Sequence, residues 1–319
     1  MTATTTKPRT RGKRAYDGPT AEEKLCADLV ALMEQGTTPW RREWQGHHRN
    51  LLTGAEYRGG NPVLLELGAM LRGHVLPLWI GGAQAKAEGW FPRKGSTAAR
   101  ILRPQLNKRE EETTNPATGE AETVLKAWTS YKLTPVFNAA DLVGATDGHA
   151  AALAERIAAA IGQAEHREPA ARLEAAEAAL EAWEVPADHC GTLACYVPSL
   201  DRIRIPSPEA FTSREAFAAT WAHEAIHSTG HSSRLDRLTN ARFGSQAYAR
   251  EELIAELGAV LLCQRLEIGS QFENHAAYLA HWVEILKEGP RTLFKVLSQA
   301  RQAADHIAPE APATDEEEA

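Results

Sequence analysis

Residues 223–227 read His-Glu-Ala-Ile-His, and this short string constrains the fold more than any other part of the chain. Two histidines four residues apart bring both imidazoles to one ion only when they project from the same face of a helix. The surrounding text, FTSREAFAATWAHEAIHSTGH, predicts such a helix. Thr212 and Glu215 fit a capping box at its start, and Gly230 fits its end. Phe217, Trp221 and Ala225 give it an apolar flank to bury. Glu224 then points about 100° round the helix from His223. From there it reaches a water beside the ion without being drawn in as a ligand, which is the placement of a general base.

Two histidines leave the site incomplete. In the HExxHxxGxxH arrangement the third ligand would fall at position 233, which is Ser233, although Gly230 fits that pattern. The ligand must therefore come from another element. The segment YAREELIAELGAVLLC predicts a second helix, with Glu252 and Glu256 four apart on one face and Leu253, Leu257 and Val260 on the buried side. Two histidines and a glutamate with an open fourth position form a catalytic zinc geometry. Glu252 is read as the ligand and Glu256 as an acceptor for a histidine N–H. The reverse assignment stays open, Glu251 fits less well, and His231 reads as surface. The expected cofactor is Zn2+, with Mn2+ or another divalent metal as the alternative, and the expected enzyme is a zinc-dependent metallopeptidase. The hairpin expected over HCGTLACYVPSLDRIRIP, with Leu193, Cys195 and Val197 alternating and then Ile203 and Ile205, offers an edge strand to an extended peptide. Tyr196 and Tyr248 are equal candidates to steady an oxyanion.

The rest of the chain reads as α+β. Helices are expected over 21–35 and 63–71, strands around LPLWI, GSTAARILRP and LKAWTSYKLTPVFN, and a mobile loop over NKREEETTNPATGEAE, which has no apolar residue to anchor it. An Ala/Glu-rich segment over 147–184 reads as two solvated helices, broken near Arg167–Pro169, and further helices are expected near 213–229, 248–266, 275–287 and 290–307. The expected division is a disordered basic tail (1–16), an N-terminal α+β domain (17–145), a helical connector (146–186), a mostly helical domain with a small β-hairpin (187–307) and a disordered acidic tail (308–319). Charge follows this division. Residues 1–141 hold 20 Lys and Arg against 15 Asp and Glu, and the remainder holds 15 against 27. A basic first half favours a polyanionic partner. No stretch approaches a membrane span, nothing resembles a secretory signal, and four scattered cysteines without a CxxC pair argue against a disulfide scaffold. A reduced, cytoplasmic protein is expected.

The segments HEAIHSTGHSSRLDR, YAREELIAELGAVLLC, HAAYLAHWVEILK and ARQAADHI resemble the C-terminal zincin-like domain of the ArdC antirestriction family, a domain also found at the N-terminus of some plasmid primases. TPWRREW, TGAEYRGGNPVLL, the RKG segment and VFNAADLVG resemble that family's N-terminal domain. The likeness runs from about Asp17 to Ile307 and is weaker around Leu76–Gly95. It implies a protein of a plasmid or phage that binds single-stranded DNA with its first domain, carries a metallopeptidase-like second domain, and protects incoming DNA from host restriction. His223 and His227 would then be metal ligands, Glu224 the base, and an acidic residue of EELIAE the third ligand. Host restriction proteins or another protein would be the substrate.

Single-stranded DNA binding wants basic side chains beside aromatic rings on which bases stack. The candidates are Trp40, Arg41, Arg42, Trp44, Tyr57, Arg58, Asn61, Trp90, Arg93 and Lys94. Two other readings compete: a DNA-binding protein whose metal is structural, and a plain zinc protease whose basic half recognises protein. An intact Glu224 favours an active peptidase over a structural site.

Overall fold

The structure, a computed structural model, describes residues 19–35, 46–114, 121–162, 168–238, 242, 244–270 and 279–310. The two predicted tails and the break near Arg167 fall largely outside these residues. Helix α1 (Ala21–Glu34) opens on a reciprocal cap, in which Thr20 Oγ1 accepts from Glu23 N and Glu23 Oε2 accepts from Thr20 N. It is followed by β1 (Arg49–Asn50), α2 (Asn61–Met70), β2 (Leu78–Gly81), α3 (Gly82–Ala87), β3 (Trp90–Pro92), β4 (Ala99–Thr114), β5 (Ala121–Asn138) and β6 (Leu142–Gly144). Helices α4 (Asp147–Gly162) and α5 (Pro169–Glu181) lead to β7 (Ala187–His189), β8 (Cys195–Val197) and β9 (Arg202–Ile205). Four helices close the fold: α6 (Arg214–Ser228), α7 (Gln246–Arg265), α8 (Leu279–Lys287) and α9 (Pro290–Ile307).

Among the described residues the strands form three sheets, ordered β1-β2-β5-β4, β3-β6 and β7-β9-β8, in which β1–β2 and β7–β9 pair in parallel and the other pairs are antiparallel. Helix α2 is the joint of the molecule. Its Leu65 and Ala69 pack on Trp79, Ala99 and Val136 of the first sheet, while Val63, Leu64 and Leu67 enter the large helical core. A helix apolar all round must be covered on both sides. Helix α1 joins the same core through Leu25, Leu29 and Met33 and packs along α8, where the Cys26 thiol donates to Leu286 O at 3.0 Å.

Four local expectations change. The strands β4 and β5 run on through most of the predicted mobile loop, pairing from Ala99↔Val136 to Thr114↔Ala121. Over residues 107–111 β4 is polar and largely open to solvent, so no apolar alternation marks this part of the ribbon in the sequence. The cap of α6 is Ser213, not Thr212: Ser213 is extended and its Oγ accepts from Ala216 N at 3.0 Å. Strand β8 is also out of phase with the predicted alternation. Tyr196 is its buried residue, whereas Cys195 faces out and Leu193 is 76% exposed before the strand begins. Lastly, α4 and α5 are not merely solvated: Leu153 of α4 enters one core, and Ala176 and Leu180 of α5 enter the largest.

Candidate metal centre

Helices α6 and α7 pack against each other and bring three donors together. Ligand atoms of His223, His227 and Glu252 all lie within 4.8 Å of one another. One Glu252 oxygen is 3.9 Å from His223 Nε2 and the other 3.7 Å from His227 Nε2. The two rings stand edge to face with centroids 4.8 Å apart. His223, Glu224 and Glu252 are buried, and His227 is nearly so. The close approach of the helices depends on Gly258, where a Cβ would come within 2.8 Å of Ile226 Cγ2.

Glu256 lies one turn beyond Glu252 and is fully buried. Glu251 faces the other ring nitrogen, 3.6 Å from His227 Nδ1, and takes two bonds from Arg237, at 2.9 and 3.3 Å. Helical spacing alone ranks Glu251 low and gives no signal for Arg237, which comes from the loop after α6. Burial opposes ionisation of Glu251, but the His227 ring and the Arg237 guanidinium outweigh it and hold the carboxyl below its ordinary range. Burial likewise opposes charge on His227, yet the carboxylates of Glu251, Glu252 and Glu224 raise its pKa well above 6.5. Two imidazoles with a carboxylate suit zinc or manganese.

Glu224 is held from the neighbouring sheet. Its Oε2 accepts from Tyr196 N of edge strand β8 at 2.7 Å. That N–H is therefore engaged and is not offered to a peptide laid along the edge. The Tyr196 hydroxyl is also committed: it donates to Asp201 at 2.6 Å, within a network completed by Arg234. Burial and this bond push its pKa up. Tyr248, one turn before Glu252 on the same side of α7, is half-buried. His231 bonds Ser233 in the exposed turn after α6.

The nucleic-acid candidates fare unevenly. Trp40, Arg41, Arg42 and Trp44 lie outside the described residues. Trp90 is 3% exposed and donates to His149 O, so it is a core residue. Asn61 binds the Leu102 backbone with both side-chain atoms, accepting from its N at 2.7 Å and donating to its O at 3.1 Å. Tyr57 is half-buried beside Asn50, and burial raises its pKa. Arg58 is half-buried, and the next residue, Gly59, donates its N–H to both oxygens of Glu310. Arg93 and Lys94 are exposed in the turn after β3.

Comparison with known proteins agrees with this layout. A model of the N-terminal domain of the anti-restriction factor ArdC matches residues 19–137, and a model of zincin-like metallopeptidases matches residues 174–299. The metal-free crystal structure of antirestriction ArdC from plasmid R388 is 31% identical, with a TM-score of 0.60, covering 92% of this chain and 97% of that one. The chain belongs to the ArdC antirestriction family. The Mn(II)-bound ArdC structure matches equally, at 30% identity and a TM-score of 0.61, over 90% of this chain and 97% of that one. A DNA primase TraC of Escherichia coli is 31% identical over 300 residues, 89% of this chain, but the chain spans only 27% of that primase. The uncharacterized protein y4eC of Sinorhizobium fredii is 28% identical over 292 residues, covering 89% and 90% of the two chains. Among the described residues, no helix is long and apolar enough to cross a membrane.

Proposed function

We propose that this ArdC-family chain is an antirestriction protein of a mobile element that binds single-stranded DNA and cleaves a protein substrate at a divalent metal. The observation that carries the peptidase reading is the convergence of His223, His227 and Glu252 beside a buried Glu224. His223, His227 and Glu252 would hold the ion, and the manganese in the R388 relative supports a divalent metal there. When bound, such an ion polarises a carbonyl and lowers the pKa of water towards about 7. Glu224 takes the proton of the attacking water and passes it to the leaving amine. Its bond from Tyr196 N orients the carboxylate. Glu251, fixed by Arg237, would orient the His227 ring from its Nδ1 side.

The variant Glu224→Gln separates this reading from a structural site. It is expected to keep stoichiometric metal and the wild-type melting midpoint while peptide cleavage falls by about a hundredfold or more. Loss of metal in that variant would make Glu224 a ligand. Unchanged cleavage would remove it from the chemistry. The second reading, a DNA-binding protein with a non-catalytic metal, draws on the same Tyr196–Glu224 bond, because a carboxylate engaged by backbone can serve structure alone. It predicts no metal-dependent cleavage by the wild type.

A further inference from the structure

The β4–β5 ribbon projects two dissimilar faces into solvent, and its register assigns each residue to one of them. Directly paired residues of an antiparallel ladder share a face, and the face alternates with every step. One face carries Arg103↔Lys132, Gln105↔Ser130, Asn107↔Trp128 and Arg109↔Lys126. The other carries Pro104↔Tyr131, Leu106↔Thr129, Lys108↔Ala127 and Glu110↔Leu125. The first face therefore holds two pairs of cations, about 20 Å apart along the strand, with an indole between them. Trp128 is 46% exposed, and Arg109 and Lys126 are about two-thirds exposed. Asn107 ties the strands beneath the indole, its amide donating to Ser130 Oγ at 2.8 Å.

We infer that this Trp128 face of the β4–β5 arm is where the protein grips single-stranded nucleic acid. The inference rests on the single-stranded DNA reading above and gives it a surface. Charge complementarity selects the occupant. Four cations share this face with two carboxylates at its outer end: Glu122 by register, and Glu111, which lies 3.5 Å from Arg109 and 3.4 Å from Lys126. Exposed pairs of that kind hold weakly, and a phosphate can displace the carboxylate. A solvent-facing indole between cations stacks an unpaired base, which a duplex does not offer. The opposite face balances Lys108 against Glu110 and exposes Leu106, Leu125 and Tyr131 instead, so it lacks the charge to follow a phosphate chain. The strand pattern of LKAWTSYKL is legible in the sequence, and its Lys126, Trp128, Ser130 and Lys132 recur at the period of one strand face, but only the pairing with β4 shows that this face is open and basic.

The test uses the full chain and a fluorescein-labelled oligothymidylate, followed by anisotropy over a salt series. Trp128→Ala is expected to weaken binding about tenfold, the size of one base–aromatic stack. The double variant Arg109→Gln, Lys126→Gln is expected to lower the steepness of the log–log salt dependence by about 1.4, or about 0.7 for each phosphate no longer neutralised. Tyr131→Ala on the other face is expected to bind as the wild type does. All these side chains are exposed, so unchanged melting midpoints are expected as the control for folding. Wild-type binding retained in the Trp128 and the double variant, or an equal loss in Tyr131→Ala, overturns this surface while leaving DNA binding itself standing. A wild-type chain that does not bind the oligonucleotide at all overturns both.

Discussion

His227 shows how one side chain links burial, charge and metal. Three carboxylates raise its pKa well above 6.5 in the metal-free chain. The raised value fixes the sign of two effects. The protonated ring adds stability to the metal-free protein that is fully present below about pH 6.5 and is lost as pH rises through the raised pKa. A metal must displace that proton, so metal affinity falls as pH falls, by about tenfold per unit below the raised pKa. Competition with a chromogenic chelator is expected to show affinity rising with pH from about pH 6 upward. A flat profile would mean that His227 is neutral before the metal arrives. In His227→Ala the stoichiometric metal itself is expected to disappear.

At the scale of elements, the site is a contact between α6 and α7. Gly258 permits it, since a Cβ there meets Ile226 Cγ2 at 2.8 Å and Ala300 O at 3.4 Å. Exchange of a helical glycine for alanine ordinarily stabilises by up to about 1 kcal/mol. Ile226 is fully buried and has no room to yield, so the overpacking term of about 1–3 kcal/mol prevails. Gly258→Ala is therefore expected to lower the urea midpoint and to weaken metal binding, because His223 and His227 ride on one helix and Glu252 on the other. Pairing it with Ile226→Ala, which deletes the clashing Cγ2, is expected to restore metal binding, while the volume removed keeps stability below that of the wild type. An increase in stability in the single variant would show that the helices separate freely.

The whole molecule is less divisible than its charge pattern suggests. Leu25, Leu29 and Met33 of α1 and Val63, Leu64 and Leu67 of α2 belong to the same apolar cluster as α6, α7, α8 and α9. Glu310, after α9, bonds Gly59, before α2, and His47 lies 3.8 Å from Glu267. A fragment ending at residue 145 would expose those apolar faces to water, at about 25 cal/mol for each Å² uncovered. Such a fragment is expected to elute as aggregate and to lack a cooperative thermal transition, whereas the full chain elutes as a defined species. A monomeric, cooperatively melting fragment would show that α1 and α2 are covered without the C-terminal helices.

The HEAIH helix, the acidic helix that answers it and the membership of the ArdC family were legible in the sequence, because each rests on local periodicity or on a run of adjacent residues. Helical spacing alone puts His223 and His227 on one face and limits the third donor to a short acidic segment. It leaves open which carboxylate of that segment meets the rings, since this depends on how α7 is rotated and seated against α6. The packed helices bring Glu252 to both Nε2 atoms and turn Glu251 to Nδ1 and Arg237. Trp90 reads as a stacking residue and lies in the core, while Trp128 reads as an ordinary strand residue and lies in solvent. An aromatic ring carries no mark of its exposure in the sequence. That is decided by which strand pairs with which, in what register, and by whether another layer covers the face it lands on.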